Sequence, residues 1–357
     1  MGKTVGTLLR HLNGPILVTG HTGFKGAWLM RYLKELGIEA IGYSLAPKIE
    51  SLYTRAGLLG ENVEQFGDIG EIDQFADFAI KHKPVVILHL AAQALVPESY
   101  IDPIGTFKTN VMGTANVLQV SKSLPGLMAV GVITTDKVYQ NQNDGKKYKE
   151  SDPIRGSDPY SASKAASENV IEAWRHIPGK FQHFPIVSLR AGNVIGGGDL
   201  SSNRLIPDLV RSFQSGDQVM IRNPNSTRPW QHVLDPLTGY LQAIEHALRE
   251  KKNETFNFGP RETSLAVVDV VDVFKERWKN LSVSYSQEME KNYESKLLEL
   301  DSTHATETLN WNPVYDQYSS INKTIDWWES NLGLKKSPIH CIDEQIKAYI
   351  NTFNSDS

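Results

Sequence analysis

Cysteine is almost absent from this chain, since Cys341 is the single one among 357 residues. One thiol cannot form an internal disulfide, which fits a reducing compartment. Cys341 also lies far along the sequence from the motifs described below. We therefore expect a packed thiol and not a catalytic nucleophile.

An excess of basic residues and long apolar runs are missing as well. Lys and Arg number 37 against 41 Asp and Glu, a formal net charge of −4, which argues against the basic surface of a nucleic-acid-binding protein. No apolar run reaches the ~18 residues that a membrane span needs, and the first residues lack the apolar segment of a secretory signal. We expect a cytoplasmic protein that binds neither nucleic acid nor membrane.

What the sequence does contain is a regular alternation of short apolar runs and helical patterns. The predicted strands occupy residues 15–19, 39–43, 63–66, 85–90, 128–134 and 185–189. The predicted helices occupy residues 27–36, 72–81, 104–123 and 160–174. This alternation predicts an α/β fold with a Rossmann-type doubly wound parallel sheet.

The alternation stops near residue 192, where turn-rich segments begin. We expect residues 1–192 to form a dinucleotide-binding domain, joined by a returning segment near 233–250. Residues 193–357 should mainly form a smaller C-terminal substrate-binding lobe and a tail. The tail has the spacing of an amphipathic helix that docks on the protein, with isoleucines at Ile342, Ile346 and Ile350.

Three glycines with a spacing of three connect the first predicted strand to the first predicted helix. Such glycines permit a tight turn and a close approach of the backbone to a pyrophosphate, while the helix N-terminus offers amide donors. The loop therefore predicts a dinucleotide site, to which we assign all of its residues: Gly20, His21, Thr22, Gly23, Phe24, Lys25 and Gly26.

The carboxylate that usually binds the adenosine ribose is missing after the second strand, where the chain has Ser44. Lys25 and Lys48 are near enough in sequence to accommodate a 2′-phosphate, so NAD is expected with NADP as an open alternative. After the third strand, Asp68 is placed to accept a hydrogen bond from the adenine amine and Ile69 to pack on the ring.

Two short motifs carry the predicted chemistry. Tyr160 and Lys164 are four residues apart on one predicted helix, so the ammonium can lie beside the phenol and lower its pKa. Asp136 and Lys137 follow the fifth strand, at the edge where such sheets place their ligands, and offer a second proton-transfer pair. Together these residues predict oxidation at a hydroxyl carbon followed by elimination, and no metal is expected.

The part of the chain after residue 192 supplies candidates for binding a substrate. Arg204 and Arg228 are suited to a diphosphate because a guanidinium group matches phosphate oxygens with two hydrogen bonds. Asn193 can donate to the same group, and His232 can reach a sugar or a nucleotide. We therefore expect a phosphate-bearing small molecule as the substrate.

Motifs along nearly the whole chain resemble the extended short-chain dehydrogenase/reductase superfamily. They are Thr19-Gly-x-x-Gly-x-x-Gly26, His89-Leu-Ala-Ala-Gln93, Asn110-Val-Met-Gly113-Thr114, Tyr160-x-x-x-Lys164, Arg190-Ala-Gly-Asn193, Arg228-Pro-Trp-Gln-His-Val-Leu-Asp235, Phe256-Asn-Phe-Gly259 and Leu309-Asn-Trp-x-Pro313. Within the superfamily, Thr135-Asp136-Lys137 is similar to the nucleotide-sugar 4,6-dehydratases that act on CDP-glucose. Other 4,6-dehydratases would carry Thr-Asp-Glu at this position.

This resemblance implies how the site works. Tyr160, assisted by Lys164, takes the proton of the glucose 4-hydroxyl while C4 gives its hydride to the nicotinamide, and Thr135 hydrogen-bonds O4. Lys137 then removes the C5 proton, Asp136 protonates the departing 6-hydroxyl, and the hydride returns to C6. The product would feed deoxysugar synthesis for cell-surface glycans.

The resemblance also implies further contacts and an assembly. It implies cofactor contacts from Leu90, Ala91, Ala92, Gln93, Thr109 and Thr134, together with Tyr160 and Lys164. It implies substrate contacts from Gln93, Leu205, Ile206 and Arg222. Extended members usually form homodimers through the helices predicted here near 104–123 and 160–174.

Two other functions stay open. A nucleotide-sugar epimerase, or a dehydratase for another nucleotide, would use the same fold, but a pure 4-epimerase has no need of Lys137 as a base at C5. A non-catalytic nucleotide-binding protein is the alternative from another class, because a fold alone does not establish activity. The intact proton-transfer residues, Tyr160, Lys164, Asp136 and Lys137, weigh against this last alternative.

Overall fold

A parallel sheet covered by helices on both faces forms the centre of the protein. The computed structural model describes residues 5–142, 144–179, 183–286, 298–333 and 335–355. Within these residues the central sheet has seven parallel strands in the order β3-β2-β1-β4-β5-β7-β12. The strands in chain order are β1 (Ile16–Thr19), β2 (Ala40–Ser44), β3 (Glu64–Phe66), β4 (Val86–His89), β5 (Ala129–Ile133), β6 (Lys147–Tyr148), β7 (Ile186–Ala191), β8 (Val194–Ile195), β9 (Val219–Ile221), β10 (Thr227–Arg228), β11 (Gln231–His232), β12 (Glu254–Phe258), β13 (Leu265–Ala266), β14 (Val283–Tyr285) and β15 (Glu299–Leu300). The predicted Rossmann-type doubly wound sheet is confirmed.

The helices alternate with these strands in the first half of the chain and cluster in the second half. They are α1 (Phe24–Glu35), α2 (Leu52–Arg55), α3 (Ile72–His82), α4 (Val96–Ile101), α5 (Pro103–Phe107), α6 (Gly113–Ser121), α7 (Pro159–Arg175), α8 (Leu205–Ser215), α9 (Leu234–Glu250), α10 (Val267–Arg277), α11 (Thr303–Leu309), α12 (Gln317–Leu332) and α13 (Pro338–Ser355). Across the described parts of the chain, none of these helices has the length and hydropathy to cross a membrane.

The sheet separates two hydrophobic clusters because successive side chains of a strand point to opposite faces. In β1, Ile16 and Val18 pack into the cluster that also holds residues of α1 and α9. Leu17 packs into the other cluster, with residues of α3, α6 and α7. Burial on both faces explains why the central strands β1, β4 and β5 are nearly continuous apolar runs.

The helix predicted over residues 104–123 is interrupted in the structure. It consists of α5, one π-helical stretch over Lys108–Met112, and α6. The backbone carbonyl of Asn110 accepts hydrogen bonds from the hydroxyls of Thr114 at 2.7 Å and Ser167 at 2.8 Å. The Asn110 side chain also bonds the backbone of Gln93. These contacts stabilise the wider turn, a local distortion that often occurs at functional sites.

The second half of the chain both extends the sheet and builds a separate lobe. Helix α9 packs on β5 and β7, and β12 then pairs with β7 at the edge of the sheet. Short strand pairs, namely β8 with β11, β9 with β14 and β10 with β13, lie in the C-terminal lobe. Helix α13 docks on α1 and α12 with Ile342, Ile346 and Cys341 buried. The single thiol is therefore a packed residue.

Candidate active site

The candidate site lies at the carboxyl ends of β1, β4 and β5, where the strand order of the sheet reverses. Parallel α/β sheets bind their ligands at this place because loops diverge there and leave a crevice. Strand β1 leads into the glycine loop, β4 leads into Leu90-Ala-Ala-Gln93, and β5 leads into Thr134-Thr-Asp-Lys137. The topology thus brings three of the predicted motifs to one edge.

The glycine loop allows a closely packed backbone that larger residues would block. Gly20 has φ +73°, and a Cβ there would lie 2.6 Å from the backbone nitrogen of Ala91. A Cβ on Gly26 would lie 2.2 Å from the carbonyl oxygen of Gly20. Helix α1 begins after Gly23, which offers no side-chain cap to the first amides of the helix. A close backbone approach and available amide donors suit a dinucleotide pyrophosphate.

Several predicted cofactor residues have their side chains turned into the protein. The His21 imidazole is fully buried and bonds the Glu64 carboxylate at 3.0 Å, and Ile69 belongs to the core cluster that contains α6. Only the backbones of these two residues are available to a ligand. By contrast, the Thr22 hydroxyl is hydrogen-bonded to the Ser44 hydroxyl at 2.8 Å. Ser44 ends β2, where a ribose-binding acid usually stands.

The remaining cofactor candidates lie near this edge of the sheet with partly accessible side chains. Asp68 accepts a hydrogen bond from the Gly70 amide at 2.8 Å. Gln93 is held by its own loop, where its side chain donates to Thr106 at 2.9 Å. The other members of the set with partly accessible positions are Phe24, Leu90, Ala91, Ala92 and Thr109.

Helix α7 delivers Tyr160 and Lys164 to the end of β5. Asp158 caps the helix by accepting from the Ser161 amide at 2.9 Å, and Pro159 occupies the first turn, so the helix starts beside Tyr160. The Lys164 ammonium donates to the Ile133 carbonyl at 2.8 Å. Burial lowers the pKa of Lys164 to about 8.

The expected lowering of the Tyr160 pKa is wrong for this structure. Burial raises the pKa of Tyr160 to about 12, and this effect outweighs the hydrogen bond with Thr135 and the positive charge of Arg204. The Lys164 ammonium is engaged with a backbone carbonyl, as described above. The geometric expectation, a phenol and an ammonium presented by one face of α7 to the end of β5, agrees with the structure.

The acid of the second proton-transfer pair is buried and its base partly accessible. Residues Asp136–Val138 form a single 3-10 turn after β5, and the Thr135 hydroxyl donates to Asp136 at 2.9 Å. Burial raises the pKa of Asp136, although Lys137, Thr135 and Arg228 act in the opposite direction. A carboxyl in such a place retains its proton more readily and is suited to act as an acid.

Lys25 of the glycine loop also reaches this group of residues. Its ammonium lies 3.4 Å from the Tyr240 hydroxyl of α9. Burial, together with the positive charges of Arg204 and Lys164, lowers the pKa of Lys25 to about 7, and Asp136 opposes this. Sequence reasoning assigned Lys25 to the phosphates and missed Tyr240, which lies inside an otherwise apolar helical pattern.

The substrate candidates are partly brought together. Arg204 lies at the start of α8, 3.3 Å from Asp199, and its charge acts on Tyr160. Arg228 is buried and its charge acts on Asp136. Leu205, Ile206 and Asn193 lie on the adjoining segments, where the Asn193 carbonyl accepts from Gln231.

Two other substrate candidates are placed differently. Arg222 is exposed and donates to Asn203 at 3.3 Å. His232 is fully buried, and its ring contacts Trp28 and Tyr315 edge-on at centroid distances of 5.8 and 5.5 Å. Burial lowers the pKa of His232 to about 3. The structure thus gives His232 a place in the core.

Comparisons with known proteins find one family and relatives that are nucleotide-sugar 4,6-dehydratases. The family described as NAD dependent epimerase/dehydratase matches residues 16–259. CDP-glucose 4,6-dehydratase of Salmonella typhimurium is 40% identical over 346 residues, 94% of this chain and 96% of that protein. A dTDP-glucose 4,6-dehydratase of Xanthomonas campestris is 26% identical over 88% of this chain and 93% of its own length.

Solved structures share the fold. UDP-glucose 4-epimerase of Thermotoga maritima, solved with UDP-glucose, has a TM-score of 0.77 at 23% identity, with 89% of this chain and 99% of that chain covered. The dTDP-glucose 4,6-dehydratase of Bacillus anthracis, solved with NAD, has a TM-score of 0.74 at 21% identity, with 89% and 97% covered.

Proposed function

The chain belongs to the NAD-dependent epimerase/dehydratase family, and from this premise we propose that it is a nucleotide-sugar 4,6-dehydratase converting CDP-glucose to CDP-4-keto-6-deoxyglucose. The observation that carries the proposal is the Asp136–Lys137 pair beside Tyr160, joined to it through Thr135. An epimerase acting only at C4 does not need an acid and a base at C5 and C6. The 40% identity to a CDP-glucose 4,6-dehydratase supports the reaction and the nucleotide together.

NAD is the cofactor that fits this family and this site. Its pyrophosphate would lie on the Gly20–Gly26 loop, where a side chain on either of these glycines would collide with backbone atoms. Its nicotinamide would accept a hydride from a sugar carbon and later return it. Lys164, whose ammonium donates to the Ile133 carbonyl, would hold the nicotinamide ribose.

The first step requires a base at the sugar 4-hydroxyl. Tyr160 would take this proton while Thr135, its hydrogen-bond partner, orients the same oxygen. Burial favours the neutral phenol of Tyr160. Two cations, Lys164 and Arg204, have to offset this effect during the step. The resulting 4-ketone acidifies the proton on C5.

The elimination requires a base at C5 and an acid at C6. Lys137 would remove the C5 proton, and Asp136 would give its proton to the 6-hydroxyl, so that the C6–O bond breaks and one water leaves. Burial of Asp136 supports its role as proton donor. A hydride then returns to C6 and a proton to C5, and the product differs from the substrate by one water.

Mass spectrometry of the reaction mixture tests the proposal. The protein is incubated with NAD and, separately, with CDP-, dTDP-, UDP- and GDP-glucose. The proposal expects loss of one water from CDP-glucose, no net NADH, and one solvent deuterium at C5 in heavy water. Unchanged mass with every substrate, combined with isomerised sugar, would establish an epimerase. Loss of water from a different nucleotide sugar alone would refute the CDP preference.

We also propose that the protein is a homodimer and works in the cytoplasm, where nucleotide sugars and NAD are present together. Large apolar side chains are exposed along α4 to α6, and they include Ile101 at 76% and Ile104 at 80% exposure. Tyr100 and Met112 of the same segment are also half exposed. Several exposed apolar side chains within one segment are typical of an interface, and a second copy of this chain is its proposed occupant.

A further inference from the structure

Glu168 is a buried acid that the proposed reaction does not use, and it lies one helical turn beyond Lys164 on α7. Its Oε1 accepts hydrogen bonds from Thr134 Oγ1 at 2.5 Å, Ser188 Oγ at 2.7 Å and Arg190 Nε at 2.9 Å. Its Oε2 accepts from Arg190 Nη2 at 2.9 Å. The carboxylate is therefore held by Thr134, just after β5, and by two residues of β7.

Glu168 contacts the end of β5 next to the residues that Tyr160 and Lys164 contact. Tyr160, Lys164 and Glu168 are spaced four apart on α7 and share one face. They contact successive residues at the end of β5: Tyr160 bonds Thr135, Lys164 bonds the Ile133 carbonyl, and Glu168 bonds Thr134. One helix face thus holds the whole segment that carries Thr135 and Asp136.

Among the groups around Lys164, Glu168 is the anion whose charge acts on the Lys164 ammonium. Lys25 of α1 approaches from one side with a pKa that burial lowers to about 7, and His89 of β4 stays neutral because burial lowers its pKa to about 3. On α7, neutral Tyr160 precedes Lys164, while Asp136 after β5 has its own pKa raised by burial. Burial lowers the pKa of Lys164, and the charge of Glu168 opposes that effect.

Arg190 of β7 keeps Glu168 ionised. Burial of the carboxyl would raise its pKa, but the charge of Arg190 and the hydrogen bonds from Arg190, Ser188 and Thr134 outweigh burial and hold the pKa below its ordinary value. Arg190 Nη1 also donates a hydrogen bond to the Tyr139 hydroxyl at 2.7 Å. Hydrogen bonds to other residues therefore hold both members of the Glu168–Arg190 ion pair.

We propose that Glu168 is a positioning residue: it holds the end of β5 against Tyr160 and Lys164, and its negative charge keeps the Lys164 ammonium protonated for binding of the nicotinamide ribose. The part that concerns cofactor binding rests on membership of an NAD-dependent family, and the part that concerns turnover rests on the proposed function. A buried ion pair with a purely structural role would not influence the protonation of Lys164.

The test is the pH dependence of NAD binding, measured by calorimetry without any sugar. Glu168→Gln keeps the shape and an acceptor oxygen but removes the charge, and Glu172→Gln is a matched control on the exposed side of α7. For the wild type we expect affinity to fall with rising pH as Lys164, whose pKa burial lowers to about 8, loses its proton. In Glu168→Gln this midpoint moves down by about one pH unit or more, whereas Glu172→Gln leaves it unchanged.

A second variant covers the case in which unpaired Arg190 prevents folding. Glu168→Gln combined with Arg190→Gln removes both buried charges, and the midpoint should still move to lower pH because the negative charge that acts on Lys164 is gone. A wild-type midpoint in either folded variant would overturn the inference and leave Glu168 as a structural ion pair.

Turnover gives a separate readout. For Glu168→Gln we expect kcat with CDP-glucose to fall by about tenfold or more with KM nearly unchanged, and the alkaline limb of the pH profile to move down with the binding midpoint. If the wild type binds NAD but does not dehydrate CDP-glucose, the proposed function fails while the binding experiment still decides the role of Glu168.

Discussion

Asp235, at the start of α9, should make the protein less stable as the pH rises through neutrality. Its side chain is fully buried and its Oδ1 accepts from the Val314 amide at 2.7 Å and the Tyr349 hydroxyl at 2.9 Å. Among the described residues, its Oδ2 has no hydrogen-bond partner. Burial raises the pKa of Asp235 to about 7, against about 3.9 in an unfolded chain.

The sign and size of the effect follow from proton linkage. Between these two pKa values the folded state binds the proton and the unfolded state does not, so the free energy of unfolding decreases with rising pH and levels off above the folded pKa. From about pH 5.5 to about pH 8.5 this one group costs about 2 kcal/mol of stability, because about 1.5 pH units of that window lie below the folded pKa.

Asp235→Asn removes the titration and keeps the contacts, since the amide oxygen can accept from both Val314 and Tyr349. Urea unfolding at the two pH values should show the variant losing about 2 kcal/mol less than the wild type across the window. Tyr349→Phe, which removes a hydrogen bond to the carboxylate, should make the decline larger than in the wild type. Equal pH slopes for the wild type and Asp235→Asn would refute the reasoning.

Three further predictions concern the site and the assembly. Lys137→Met should lower kcat by about 10²–10⁴-fold and abolish deuterium uptake at C5, while reduced cofactor still forms; uptake at the wild-type rate would contradict its role as base. Gly20→Ala should weaken NAD binding at least about tenfold by calorimetry, because its Cβ meets the Ala91 backbone, whereas Gly37→Ala, with a similar φ of +70° in open space, should cost only about 1 kcal/mol of stability. Ile101→Glu with Ile104→Glu should give a monomer in light scattering, and Ile49→Glu, at a position 86% exposed outside the α4–α6 segment, should leave the dimer intact.

Much of the fold was predictable because local signals and burial agree. The central strands β1, β4 and β5 are largely apolar runs, and Asp158 with Pro159 marks the start of α7 as a capped helix should. The resemblance to the extended short-chain dehydrogenase/reductase superfamily is likewise confirmed, by the family match over residues 16–259 and by the relative that is 40% identical over 94% of this chain. Each of these features is set by residues that lie close together in the sequence, so it can be predicted from the sequence alone.

Other features depend on contacts between distant segments. The interruption of the helix at Asn110 needs Ser167 of α7 as a partner. The raised pKa of Tyr160 follows from its burial in the folded chain, and the core position of His232 follows from its contacts with Trp28 and Tyr315; residue spacing reveals neither. The contact of Thr134 with Glu168 joins segments 34 residues apart, and Glu168 was not singled out from the sequence.

The place of β12 in the sheet bears on how this protein is made in the cell. Strand β7 leaves the ribosome early, but its outer edge stays open until β12 has been synthesised, because the two strands pair along residues 254–258. An open strand edge recruits other chains. A fragment cut at residue 192 should therefore aggregate more readily than a fragment that extends through residue 258. Nascent chains stalled between these two points should be clients of chaperones that shield exposed strands.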